Sequence, residues 1–127
     1  MAKTVKDMLA AANAAVPKLS PAEAAAKIRE GGVLVVDVRD PNEVWQSGKI
    51  KGATLASRGM LEFRADPESP YHDPAFGKDK TVLVHCASGG RSALAGQTLK
   101  EMGYTSVYNA GGFKDLVAEG LETEPMG

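Results

Sequence analysis

Two short runs of this chain are apolar without a break, Val33-Leu34-Val35-Val36 and Val82-Leu83-Val84. A strand with one face in water alternates apolar and polar residues, whereas one that is apolar throughout has both faces covered. Each run ends in a polar loop, Asp37-Val38-Arg39-Asp40 after the first and Cys86-Ala87-Ser88-Gly89-Gly90-Arg91-Ser92 after the second. Each loop then enters a helical pattern. Strands alternating with helices pair in parallel, and right-handed crossovers line their loops along one edge. The expected fold is therefore α/β: one domain with a central parallel sheet of about five strands, helices on both faces and an extra N-terminal helix. Ligands of such sheets bind outside the carboxyl ends of the strands, so Asp37, Arg39 and Cys86 are expected on one rim.

The remaining segments fit around that frame. Thr4–Val16 carries Val5, Met8, Leu9, Ala12 and Val16 at helical spacing, and Pro17 ends it. It is expected as a packing helix, the alternative being a contact surface for a partner or a second copy. Ser20-Pro21-Ala22-Glu23 is a capping box with proline at the first helical position, and Gly31-Gly32 stops that helix. Asp40-Pro41-Asn42-Glu43 repeats the signature for a short helix ending at Gly48. A short strand is expected within Ile50–Ala53 and a helix over Ser57–Arg64. Pro67, Pro70 and Pro74 make the stretch before Thr81 a loop. Ser92–Met102 reads as a helix whose Gly96 costs about 1 kcal/mol relative to alanine, tolerable where the helix packs closely on the sheet. Ser106-Val107-Tyr108 reads as a strand, Ala110-Gly111-Gly112 as a turn and Phe113–Ala118 as a last helix. The polar tail from Gly120 is expected to be mobile. The division is an extension over 1–17 and the main domain over 18–127.

Composition narrows the partners. The 127 residues carry 15 basic and 16 acidic side chains, a net charge of −1, which gives no support for a nucleic-acid or anionic-membrane partner. The single cysteine forms no internal disulfide. The start of the chain has no apolar run of signal length, and Ala10–Val16 is too short to span a bilayer. A cytoplasmic location is the default, no cofactor is implied, and the oligomeric state is open.

The chemistry concentrates at Cys86. A lone cysteine ending an apolar strand is often a small buried hydrophobe. Its neighbours favour reactivity instead. Ser88, Gly89, Gly90, Arg91 and Ser92 are poor core residues, and paired glycines let several N–H groups converge on one point. An anion cradle at the start of a helix, with Arg91 beside it, lowers a thiol pKa and favours the thiolate. No Cys–His pair supports it, because His85 lies on the opposite face of the strand and His72 lies in the proline-rich loop. With one cysteine and two scattered histidines, no metal site is apparent. Chemistry needing little acid–base help fits best. Attack on a sulfane sulfur is such a reaction, since sulfite leaves as an anion; phosphoryl transfer is the competitor and needs room for a tetrahedral phosphate.

From about Lys18 to Glu122 the chain resembles a rhodanese domain, the single-domain sulfurtransferase family. Three stretches carry the resemblance: Asp37 to Trp45 followed by Gly48 to Ala53, the loop Cys86 to Ser92, and Gly103-Tyr104 through Val107 to Gly111-Gly112-Phe113. The sequence departs at Lys49, where the family usually has histidine, and at Ala56-Ser57, where a proline often follows. The resemblance implies a persulfide on Cys86 and cradle N–H groups from Ala87, Ser88, Gly89, Gly90 and Arg91, with Arg91 supplying charge for thiosulfate and Ser92 counted with the substrate-binding loop. It further implies bracing of the rim by Asp37 and Arg39, and an Arg58 that reaches the pocket mouth. The implied partners are a thiosulfate-like donor and a thiol or cyanide acceptor, a sulfur-accepting protein included. Related dual-specificity phosphatases have five residues between cysteine and arginine, whereas here there are four, Ala87 to Gly90. The alternatives are a phosphatase-like or arsenate-reductase-like enzyme on this fold, and a non-enzymatic binding or persulfide-carrier module.

Overall fold

The computed structural model describes residues 2–126. Helix α1 (Val5–Ala15) is opened by a capping box in which the Thr4 hydroxyl accepts from the Asp7 N–H and the Asp7 carboxylate accepts from the Thr4 N–H. Helix α2 (Pro21–Glu30) opens in the same way on Ser20 and Glu23. Strand β1 (Val33–Asp37) and helix α3 (Pro41–Ser47) follow, then the two-residue strands β2 (Lys49–Ile50) and β3 (Thr54–Leu55). A 3₁₀ turn (Arg58–Met60) leads into α4 (Leu61–Ala65). After the proline-rich loop come β4 (Thr81–Cys86), α5 (Gly90–Glu101), β5 (Ser106–Gly112), α6 (Phe113–Ala118) and β6 (Thr123–Glu124).

The main sheet has the order β3-β1-β4-β5, all parallel. It has four strands rather than about five, and Lys18 bridges Asn109 beside its β5 edge. Side chains alternate across it as the two-residue period requires. Leu34, Val36, Val82, Val84 and Cys86 join the core under α1, α4 and α5, while Val35 and Leu83 join the core under α2 and α6. Among the described residues no helix is long and apolar enough to cross a membrane.

Three expectations change. Helix α1 buries Ala12 and Val16, but Val5 is 65% exposed and Met8 45%. The helix rests on α5 with Leu9 beside Gly90 and Val16 against Gly96, and its first turns border an open groove against α5. The stretch Ala110-Gly111-Gly112 is strand rather than turn. β5 continues to Gly112 through an irregularity at which Val84 pairs with Asn109 and His85 with Gly111. The tail is ordered by pairing: β6 runs antiparallel to β2, and Glu124 forms an ion pair with Lys49.

Candidate active site

Cys86 ends β4 with its side chain 1% exposed residue-wide and turned toward α5. The loop that follows folds back over the sulfur. Gly89 adopts φ +103°, a left-handed backbone that glycine enters without strain. In that conformation its N–H donates to Cys86 Sγ at 3.0 Å. The neighbouring strand allows the fold-back by coming close: a Cβ on Gly112 would stand 2.5 Å from the Ala87 carbonyl oxygen. Ser92, in the first turn of α5, places Oγ 3.5 Å from the sulfur. Burial pushes the Cys86 thiol up, and the Ser92 hydroxyl with the backbone N–H groups of Ser92, Ser88 and Gly89 more than offsets it. The thiol is left below its ordinary value, held there by donors that satisfy the charged form.

Asp37 and Arg39 lie beside this cradle, both buried. The Arg39 guanidinium donates to both Asp37 carboxylate oxygens, at 2.8 Å for the shortest contact, and reaches Ser47 Oγ at 2.9 Å and the Gly48 carbonyl at 3.0 Å. It stacks 4.0 Å from the centre of the Phe113 ring. A charge so fully occupied ties β1, α3 and α6 together rather than presenting itself to a ligand. Both guanidinium arms of Arg91 meet Glu43, at 2.6 and 3.0 Å, across the gap between α5 and α3. That bond holds the Glu43 carboxyl at a pKa of about 2 and raises Arg91 further above its ordinary value.

The cleft in front of the loop holds about 420 Å³ and is lined by Arg39, Glu43, Gln46, Ala87, Phe113 and Lys114, together with Ser47. Ala87 is exposed there, and Ser88 next to it is exposed as well. Arg58 does not line that cleft, a correction to its expected place at the pocket mouth. Its guanidinium is held by Glu62 at 2.9 Å and by Thr98 Oγ1 at 3.0 Å, which turns it into the separate groove between α1 and α5. His85 is fully buried on the opposite face of β4, stacked on Phe113, with Nε2 3.9 Å from Asp37 Oδ2. Among the described residues no group of three or more His, Cys, Asp or Glu side chains is placed to hold a metal ion.

Two participants escape the sequence reading. Glu43 reads there only as a capping residue, yet it is the partner of Arg91. Asn109 receives no role there, yet it is 1% exposed and hydrogen-bonds to Ser92, Gly89 and Gly111. A polar residue inside the strand pattern Val107-Tyr108-Asn109-Ala110 was the available signal.

The sequence model described as Rhodanese-like domain matches residues 20–119, which include the whole cradle. The chain belongs to the rhodanese-like domain family. Within that family it is 38% identical over 81 residues to the thiosulfate sulfurtransferase PspE of Escherichia coli K12, a match covering 64% of this chain and 71% of that protein. It is 35% identical over 99 residues to a tRNA uridine(34) hydroxylase of Chlamydia caviae, covering 74% of this chain but 28% of that longer protein. Among solved structures, a Rhodopseudomonas palustris protein of unknown function, described as a possible tyrosine phosphatase, is 41% identical. It superposes with a TM-score of 0.87 over 98% of this chain and 96% of that one. The polysulfide-sulfur transferase homodimer of Wolinella succinogenes is 35% identical, with a TM-score of 0.74 over 94% of this chain and 86% of that one. Of these relatives, the thiosulfate sulfurtransferase supports enzyme-type sulfur transfer at the level of the family.

Proposed function

We propose that this chain is a thiosulfate-type sulfurtransferase working by double displacement through a Cys86 persulfide. The observation that carries the reading is the Cys86 sulfur, held by the Gly89 N–H at 3.0 Å and the Ser92 hydroxyl at 3.5 Å, in a loop with four residues before Arg91. The thiolate attacks the outer sulfur of the donor. A new S–S bond forms at Cys86, the donor S–S bond breaks, and its electron pair leaves with sulfite. No proton moves, so the mechanism needs no general base, which fits a His85 buried on the other face of β4. The persulfide is again an anion, and the cradle that stabilises the thiolate serves the product too. A thiol or cyanide then attacks the outer sulfur, and Cys86 leaves as the thiolate. The likeness to a sulfurtransferase and to a polysulfide-sulfur transferase supports the same class.

The test is an intact mass after incubation with thiosulfate. A gain of one sulfur atom that Cys86→Ala abolishes is expected. A second reading is favoured by the likeness to the possible tyrosine phosphatase. No sulfur gain from thiosulfate or polysulfide, together with turnover of an aryl phosphate, supports that reading. Neither activity, with a Cys86 inert to alkylation at neutral pH, points to a binding module.

A further inference from the structure

Asn109 stands on β5, 1% exposed, and its polar atoms are occupied. Nδ2 donates to the Gly89 carbonyl at 3.1 Å, while Oδ1 accepts from the Ser92 hydroxyl at 2.7 Å and from the Gly111 N–H at 2.9 Å. A backbone carbonyl only accepts and a backbone N–H only donates, so these two partners fix the amide one way round. The Gly89 carbonyl also takes the Ala93 N–H at 3.1 Å, the first bond of α5. The Ser92 hydroxyl also stands 3.1 Å from that carbonyl, but the carbonyl's two lone pairs are already filled, and the shorter 2.7 Å contact with Asn109 Oδ1 takes the Ser92 proton. That leaves a Ser92 lone pair facing Cys86 Sγ, where the thiol proton is received.

We propose that Asn109 is a positioning residue for the Cys86 thiolate, acting through Gly89 and Ser92. The proposal rests on the reading of Cys86 as the nucleophile. By pinning the Gly89 carbonyl, Asn109 fixes the left-handed Gly89 backbone and so the N–H that points at the sulfur. By holding the Ser92 hydroxyl, it keeps a second donor in waiting. When the thiol loses its proton, the Ser92 O–H turns from Asn109 Oδ1 to Sγ, while Oδ1 keeps the Gly111 N–H. The S–H···Oγ contact goes with the proton, the Ser92–Asn109 bond breaks, one O–H hydrogen bond to the charged sulfur forms, and no heavy atom has to move.

The charged groups around the cradle are Arg91 on α5, its partners Glu43 and Asp40 on the α3 side, Lys114 of α6 across the cleft from Ala87, and Lys18, whose Nζ lies 4.0 Å from a Cβ built on Gly89. Behind the strand stand His85, Asp37 and Arg39. None of them exchanges a hydrogen bond in this step, so they set a constant background.

The test reads the pH dependence of Cys86 alkylation by iodoacetamide, which needs no sulfur donor. Ser92→Ala is expected to raise the midpoint by about one pH unit, the worth of a hydrogen bond to a charged group, and Asn109→Ala is expected to raise it too, through the Gly89 N–H that it fixes. The double variant is expected to rise by less than the sum, because both changes act on one network. Asn109→Asp, nearly isosteric, is expected to raise the midpoint further, since it turns an oxygen toward the Gly89 carbonyl and adds negative charge. An unshifted midpoint in whichever Asn109 variant folds, or strictly additive shifts, overturns the proposal. In the wild-type protein the Gly89 amide and the Asn109 side-chain NH₂ signals are expected to titrate with the alkylation midpoint, and their failure to do so overturns it too. Shifted midpoints without any sulfur gain from thiosulfate would leave Asn109 in this role and remove the sulfurtransferase reading instead.

Discussion

The Glu43 carboxylate occupies the group that an anionic donor would use. Its bidentate contact with Arg91 at 2.6 and 3.0 Å neutralises the positive charge beside the loop. Both side chains are about one-third exposed, at 34% and 35%, so solvent screens the pair and it is worth about 1 kcal/mol at most. Glu43→Gln removes the carboxylate charge and leaves Arg91 to the substrate. The Michaelis constant for thiosulfate is expected to fall by roughly two- to fivefold, the equivalent of that energy, with kcat little changed. Because the Glu43 pKa is about 2, the carboxylate is ionised throughout the neutral range, and the difference between variant and wild type should not vary with pH there. A rise in the Michaelis constant instead would mean that Glu43 holds Arg91 in its working position.

At the scale of elements, the packing of α1 on α5 depends on an absent side chain. A Cβ on Gly96 would come within 2.9 and 3.2 Å of the two Val16 methyl carbons and 3.4 Å of Val107. The glycine costs about 1 kcal/mol in helix propensity, and overpacking a close contact costs typically 1–3 kcal/mol. The steric effect should win. Gly96→Ala is expected to destabilise the fold by about 1 kcal/mol in denaturant titration. Adding Val16→Ala should recover part of the loss, a coupling that two independent sites would not show. A Gly96→Ala variant more stable than wild type would mean that α1 yields freely. The same contact shows how far the sequence could be read. Gly96 in a helical pattern already implied a close approach, and the unbroken apolar runs at Val33 and Val82 implied a covered parallel sheet. The glycines after Cys86 implied a cradle. What stayed hidden depends on pairing across the chain: Glu43 meets Arg91 from 48 residues away, and Asn109 meets Ser92 from 17. The strand Thr123–Glu124 is two polar residues long and gains its order from β2 and Lys49, so no local pattern announces it.

For the molecule as a whole, His85 ties stability to pH. It is fully buried between the Asp37–Arg39 pair and Phe113, with Nε2 lacking any hydrogen-bond partner among the described residues. Burial pushes its pKa below the ordinary 6.5; Asp37 and the Cys86 carbonyl pull it back in part, and Arg39 opposes them. In the unfolded chain the imidazole is solvated and takes a proton near pH 6.5, whereas in the folded chain it does so only at lower pH. Above that value both states hold neutral imidazole and stability does not depend on the group. Below it the unfolded state binds the extra proton, so stability falls as pH falls, by up to about 1.4 kcal/mol per pH unit for one proton. The carboxylates join only near and below about pH 4.5, which leaves the window from about 6.5 to 5 to histidine. His85→Leu should abolish most of the decline in that window, whatever its absolute stability, in denaturant titrations at a series of pH values. Parallel curves for variant and wild type would show that the buried imidazole already carries its proton. It would then be held by the Asp37 carboxylate, and β1 and β4 would share a buried ion pair behind the cysteine loop.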